Sequence, residues 1–224
     1  MKKTLLFLIT VFAVNFSFAQ IKVKAGTNFS KFTGESTVLM NTGLSDTKNY
    51  SEETNFKIGI NISAGYLINL NDKFSLTPEL QYNKFGAKDK EYLNNRKITT
   101  SQDIISIPII IEYKLLNKLK IGLGPQLNYL LKSKYKVDHI NISSNESNTL
   151  NNGDDDTDHY NKISIGLTGG VSYNIYENFS LEARYYHGIS NISNTENTPK
   201  FSNATYTSKM HNSAIQLGIS YFIK

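Results

Sequence analysis

Apolar and polar residues alternate with a period of two over most of the chain beyond Gln20, the pattern of strands rather than helices. Between 163 and 175, Ile163, Ile165, Leu167, Gly169, Val171, Tyr173 and Ile175 share one face, opposite Ser164, Gly166, Thr168, Gly170, Ser172 and Asn174. The stretch 56–70 repeats the scheme, with Ile58, Ile60, Ile62, Ala64, Tyr66, Ile68 and Leu70 against Lys57, Gly59, Asn61, Ser63, Gly65 and Asn69. Towards the end of the chain, Ile215, Leu217, Ile219, Tyr221 and Ile223 oppose Ala214, Gln216, Gly218, Ser220 and Phe222.

Eight such runs are present, at 21–30, 56–70, 74–85, 103–116, 119–131, 162–175, 179–189 and 212–223. Their connections alternate in length. Three are short turns rich in turn formers: Asn71-Asp72-Lys73, Asn117-Lys118 and Tyr176-Glu177-Asn178. The others (31–55, 86–102, 132–161 and 190–211) are long and polar. Short turns at one end and long loops at the other predict an all-β fold: an eight-stranded antiparallel up-and-down transmembrane β-barrel with short periplasmic turns and long extracellular loops. An even strand count puts both termini of the barrel on the periplasmic side.

The composition of the two faces sets their direction. A water-soluble barrel turns its apolar face inward, whereas a membrane barrel reverses this. Here the polar face holds Gly, Ser and Asn with little Lys/Glu dressing, which suits a tight interior. The apolar face holds Ile, Leu and Val, with aromatics near its ends. Threading the strands up and down gathers Tyr66, Phe74, Tyr113, Tyr173, Phe179 and Tyr221 at the short-turn level, and Phe29, Phe56, Tyr82, Tyr129 and Tyr185 at the long-loop level. Two aromatic belts flanking an aliphatic band match rings seated at headgroup height.

The same threading points Lys22, Lys24, Glu79, Glu112, Lys114, Lys120, Glu182 and Arg184 inward. Eight strands leave room for side chains and no more, so these charges must pair with one another in a polar plug. An open pore is not expected, because aqueous channels need about 16 strands. Pro78, Pro108 and Pro125 fall inside the runs, and local bulges are predicted at Pro108 and Pro125.

Composition narrows the remaining options. The chain has 224 residues, no Cys and no Trp, but 14 Tyr and 12 Phe, so disulfide frameworks and thiolate metal sites are excluded. Residues 1–19 read as a signal peptide: Lys2 and Lys3, an apolar Leu5–Val14 stretch, then Ser17-Phe18-Ala19 before cleavage. Residues 20–224 then form one domain carrying a formal charge of about +3, too small to imply nucleic acid.

Three constellations invite chemistry. The run Asn151-Asn152-Gly153-Asp154-Asp155-Asp156-Thr157-Asp158 makes Asp154, Asp156 and Asp158 weak calcium candidates. An EF-hand spacing would need Gly at His159 and Glu at Ile165, so a disordered acidic loop tip is the preferred reading. The histidines 139, 159, 187 and 211 share no metal-ligand spacing. His187 and Ser190 lie at the height of a rim hydrolase site but lack an orienting acid, so no catalytic residue and no cofactor is assigned.

Further segments carry a resemblance. Phe18-Ala19-Gln20, Lys24-Ala25-Gly26-Thr27-Asn28-Phe29-Ser30, Leu76-Thr77-Pro78-Glu79-Leu80-Gln81-Tyr82 and Ile107-Pro108 with Glu112-Tyr113-Lys114 belong to this set. So do Tyr66, Gly122-Leu123-Gly124-Pro125-Gln126, Leu181-Glu182-Ala183-Arg184-Tyr185 and the final Tyr221-Phe222-Ile223-Lys224. Together they resemble the PorT-like outer-membrane β-barrel family of Bacteroidota. The resemblance implies an outer-membrane location, lipid contact and insertion by the barrel-assembly machinery, and transfers no activity. The expected role is non-enzymatic: a monomeric structural or surface-interaction protein, with loops 31–55 and 132–161 meeting protein partners. The alternatives are an accessory of a protein-secretion or envelope-transport assembly, and a small-ligand or lipid-binding barrel or rim hydrolase.

Overall fold

A computed structural model of the chain describes residues 20–41, 45–51, 54–89, 96–139, 153–194 and 204–223. The proposed signal peptide, the loop tips at 140–152 and 195–203, and Lys224 lie outside the described residues. Nine strands are present: β1 (Gln20–Asn41), β2 (Ser45–Ser51), β3 (Asn55–Asn69), β4 (Phe74–Lys88), β5 (Arg96–Lys114), β6 (Leu119–His139), β7 (Ile163–Tyr176), β8 (Phe179–Gly188) and β9 (Ala204–Ile223). Strands β1 and β3 to β9 form the wall, each antiparallel to its neighbours, and β1 pairs with β9 to close it. Strand β2 is an addition that pairs with the upper part of β1, from Glu35↔Ser51 to Asn41↔Ser45.

The period-two pattern is what closes this barrel with its apolar side outward. Ile58, Ile60 and Ile62 on β3, Ile163 and Ile165 on β7, and Leu217 and Ile219 on β9 are exposed. Their alternates Asn61, Ser164, Gln216 and Ser220 are buried. Apolar side chains in that number facing outward would be strongly unfavourable in water, and stable where the surroundings are hydrocarbon. The short turns are held locally. Asn71 Oδ1 accepts from the Lys73 and Phe74 amides at 2.9 and 2.8 Å, and Leu119 N–H returns to Leu116 O at 3.2 Å.

Three expectations need correction. First, several strands run far beyond the patterned stretches: β1 continues to Asn41, β5 starts at Arg96, β6 reaches His139 and β9 starts at Ala204. In these extensions the chain shows no regular apolar–polar alternation, yet the backbone pairing continues. At the other end β5 stops at Lys114, leaving Leu115 and Leu116 in the turn.

Second, the bulges are not at the prolines. Pairing lapses between Pro78↔Ile109 and Gln81↔Ser106, and between Pro108↔Gln126 and Ile111↔Leu123, yet the register is the same on both sides of each gap. A missing N–H removes one rung and needs no inserted residue. The register instead shifts between Phe56 and Asn61, at Asp103/Ile104, and between Asn174 and Tyr176. At the second shift Leu131 is the extra residue of β6, so that Leu130 below it and Ser133 above it both face inward.

Third, the acidic segment after Gly153 is not a free loop tip. It forms a 3-10 turn at Thr157–His159 and bridges back to β6 through Lys134↔Asp155.

Closure can be read chemically because the chain has no native Cys. Thr27→Cys with Leu217→Cys, directly opposed across the β1–β9 seam, should form a disulfide on oxidation and shift gel mobility. The control pair Thr27→Cys with Leu123→Cys should not. Failure of the seam pair alone would mean an open sheet.

Candidate functional site

Inside the wall, side chains stack in three tiers of different chemistry. At the short-turn end is an ion cluster. Arg184 donates from Nη1 to Glu79 Oε2 at 2.9 Å and from Nη2 to Glu79 Oε1 at 2.7 Å, and reaches Glu182 Oε2 at 2.7 Å. Lys22 touches all three carboxylates: Glu182 at 2.5 Å, Glu79 at 3.2 Å and Glu112 at 3.8 Å. Lys24 lies 3.6 Å from Glu79 and 3.9 Å from Glu182, and Lys120 lies 3.5 Å from Glu112. Ser63, Ser75 and Ser220 add hydrogen bonds to Glu79, Glu112 and Glu182 respectively, on oxygens that already face a cation.

Register explains how these residues meet. Lys22 and Glu79 flank Gly65 on one rung. Glu112 and Arg184 are separated on another by Gly122 and Gly170. The charged stems lie over these glycines: a Cβ on Gly65 would sit 2.8 Å from Glu79 Cγ, and one on Gly170 would sit 2.9 Å from Arg184 Cγ. Beside Gly122 and Gly170 a cavity of about 10 Å³ remains, bordered by Glu112, Lys120, Glu182 and Arg184, with room for about one water. Lys114 does not join the cluster. It follows Glu112 on the inward side of β5, but there the strand has reached the turn, so its side chain is exposed while its N–H bonds Lys73 O at 2.8 Å.

The middle tier is an amide network. Asn61 donates to Asn28 at 3.1 Å, Asn28 and Gln216 donate to Asn83 at 3.3 and 3.0 Å, and Asn83 donates to Ser106 at 2.9 Å. Asn128 donates to the Tyr186 hydroxyl at 2.6 Å.

The top tier is apolar. Phe85 and Tyr186 stack at 5.8 Å among Ile104, Leu130 and Ala214, and Phe32, Ala87 and Ile192 continue the plug above them. Sequence reasoning missed this tier. Ile104-Ile105 and Tyr185-Tyr186 are apolar on both faces, so alternation gives no direction there, and only the register carries the signal.

The remaining predicted residues fall as follows. Tyr66, Phe74, Tyr173, Phe179 and Tyr221 are exposed on the outer wall at the short-turn level, and Tyr113 packs on Phe74 at 5.1 Å. At the long-loop level Phe56, Tyr129 and Tyr185 are exposed, while Phe29 and Tyr82 are half-buried. Asp154, Asp156 and Asp158 do not converge: among the described residues no group of three His, Cys, Asp or Glu could hold a metal ion. Each neighbour has its own engagement. Asp155 accepts from Thr157 Oγ1, from Thr157 N–H at 3.0 Å and pairs with Lys132 at 3.2 Å. Burial pushes the Asp156 carboxyl up.

His187 and Ser190 are not partners. His187 Nδ1 lies 3.3 Å from Ser213 Oγ, whereas Ser190 Oγ accepts from Ile165 N–H at 2.8 Å.

Two predictions follow from these contacts. Glu79→Gln leaves Arg184, Lys22 and Lys24 short of a buried counter-charge. It should cost about 3–5 kcal/mol in denaturant unfolding of the detergent-solubilised barrel, and a loss under about 1 would show the cluster to be solvated. The hydrogen bonds from Thr157 hold the Asp155 carboxyl down at about 2. A carboxylate lowered by folding stabilises its turn above its unfolded value near 4 and loses that contribution as pH falls through the folded one. The Thr157 amide resonance should therefore titrate with a midpoint near 2. A midpoint near 4 would mean that the turn is not formed.

Comparison with known proteins places this geometry. No curated protein matches the chain. Among solved structures, Neisserial surface protein A shares 15% identity with a TM-score of 0.48, over 91% of this chain and 97% of that one. The attachment invasion locus protein Ail of Yersinia pestis, in complex with the heparin analogue sucrose octasulfate, shares 14% identity with a TM-score of 0.43, over 92% and 99%. The outer membrane protease OmpT of Escherichia coli shares 10% identity with a TM-score of 0.42, over 91% and 97%. The family described as outer membrane protein beta-barrel domain matches residues 15–194, which include every wall strand except β9. The chain belongs to that family, and its place is the outer membrane.

Proposed function

We propose that this protein is a non-enzymatic, non-conducting barrel that holds a surface platform above the outer membrane for contact with other macromolecules. The observation that carries this reading is the filled lumen: among the described residues, ions, amides and apolar rings occupy it in succession. A second feature fits it. Strand β6 runs from Tyr129 of the outer belt to His139. Allowing for strand tilt, that is roughly 25 Å of wall beyond the belt.

The quoted strand motifs favour a finer placement among the PorT-like barrels of Bacteroidota, with residues 1–19 as the export signal. On that placement the platform would dock into a secretion or envelope-transport assembly.

Planar-bilayer recording tests the seal. The reconstituted barrel should give no stepwise conductance, and steady ohmic steps would overturn the reading. Removing residues 141–152 should leave the barrel able to migrate faster unboiled than boiled, since loop length contributes little to stability. The same deletion should abolish cross-links to surface or envelope partners in intact cells. Unchanged cross-linking would remove that loop from the platform.

A further inference from the structure

The outer wall changes character abruptly at the long-loop end. On β4, β5 and β6 the rung Tyr82–Ile105–Tyr129 belongs to the aromatic belt, and the rung above it is Lys84–Asp103–Lys132. The Tyr82 hydroxyl donates to Asp103 Oδ1 at 2.6 Å, and Lys84 Nζ stands off the same oxygen at 3.8 Å. Lys132 turns to Asp155. Lys84 and Lys132 remain nearly half-exposed, with side-chain exposures of 44% and 45%.

Behind this rung lies a second oddity. Lys57 at the top of β3 is buried, and its stem crosses Gly86, whose φ of 148° no L side chain readily adopts. Its nearest charges are Lys84, Asp103 and Lys88, and among the described residues its ammonium has no ion-pair or hydrogen-bond partner. Three cations, Lys57, Lys84 and Lys88, therefore share one wall carboxylate, Asp103, while Lys132 beside them is matched by Asp155, and the group as a whole keeps an excess of positive charge. The Lys57 stem is covered while its ammonium is only part-buried, and like charges held this close to one another are stabilised by an added anion.

Position identifies the anion. The cluster sits directly above the belt where rings mark headgroup height, on the face that continues downward into exposed Ile107 and Leu127. A group reaching it from the bilayer carries a phosphate above and acyl chains below. We propose that Lys57, Lys84, Lys88 and Lys132, with the Tyr82–Asp103 pair between them, form a binding site for the phosphorylated headgroup of an outer-leaflet lipid. The proposal rests on the reading of the long-loop end as the outer face.

The test uses the full barrel reconstituted in phosphatidylcholine vesicles with and without phosphatidylglycerol, followed by gentle extraction and a count of retained phospholipid per barrel. The native chain should retain phosphatidylglycerol over phosphatidylcholine. Lys84→Ala with Lys132→Ala should weaken this about thirtyfold, as two surface lysines against an anionic lipid would. Lys84→Arg with Lys132→Arg should restore it. Lys73→Ala with Lys118→Ala, at the short turns, should leave it unchanged. Equal retention by the Lys84/Lys132 alanine variant, or equal loss from the short-turn variant, would overturn the site. Displacement of the lipid by inorganic phosphate would overturn the lipid as its ligand. Faster migration of each unboiled sample reports the barrel itself, so loss of that shift would count against the membrane-barrel reading and not against the lipid site alone.

Discussion

Neutralising charge in a lumen too narrow for bulk water is the constraint around which this barrel is arranged. Three carboxylates and four cations share the short-turn half, and none could stay ionised there alone. Lys22 is the hub because β1 places it beside glycine on β3, with Glu79 one strand further. The bidentate Arg184–Glu79 pair spans the lumen from β8 to β4 and fixes both walls at once. Where long side chains cross, the rungs between them carry Gly65, Gly122 and Gly170. Glycine here is a matter of volume: each missing Cβ is occupied by a neighbour's methylene stem or by the way past it.

From that floor upward the lumen loses polarity as the wall leaves the membrane. Amides replace ions, then rings replace amides. The outside runs through apolar band, belt, then lysines. Inner and outer faces therefore grade in opposite senses along the same strands, which is possible because adjacent residues of a strand point to opposite sides. The Leu131 bulge marks where this changes. It turns β6 over by one residue at the level of the top tier, so that Leu130 and Ser133 can both serve the interior.

Much of this was legible in the sequence, for physical reasons. Ile58-Gly59-Ile60-Asn61-Ile62 declares a wall strand because hydrocarbon and lumen lie on its two sides. Asn71-Asp72-Lys73 declares a tight turn through its Asx chemistry. Glu79, Glu182 and Arg184 could be placed inward because no other face of a membrane strand tolerates them. What was not legible lies where those contrasts vanish. Glu35-Ser36-Thr37 and Thr99-Thr100-Ser101 pair as strands although their residues carry no apolar alternation to announce it. Pro108 suggested a bulge, but register is a property of two strands and cannot be read from one. The burial of Lys57 depends on Gly86 across the β3–β4 seam, a contact between residues that nothing in the linear order connects.

The β1–β9 seam has a kinetic meaning. Its rungs run without a break from Ile21↔Ile223 to Met40↔Ala204, making it the longest ladder in the wall and the one that joins the most distant parts of the chain. Contacts of such sequence separation form late. Until they do, the partly assembled sheet carries two long open edges, each with unpaired amides and one apolar side, and such edges pair with whatever strand arrives first. The same seam that leaves the finished barrel without an edge therefore makes its precursor adhesive. A chain of this design must be escorted across water until its last strand can meet its first.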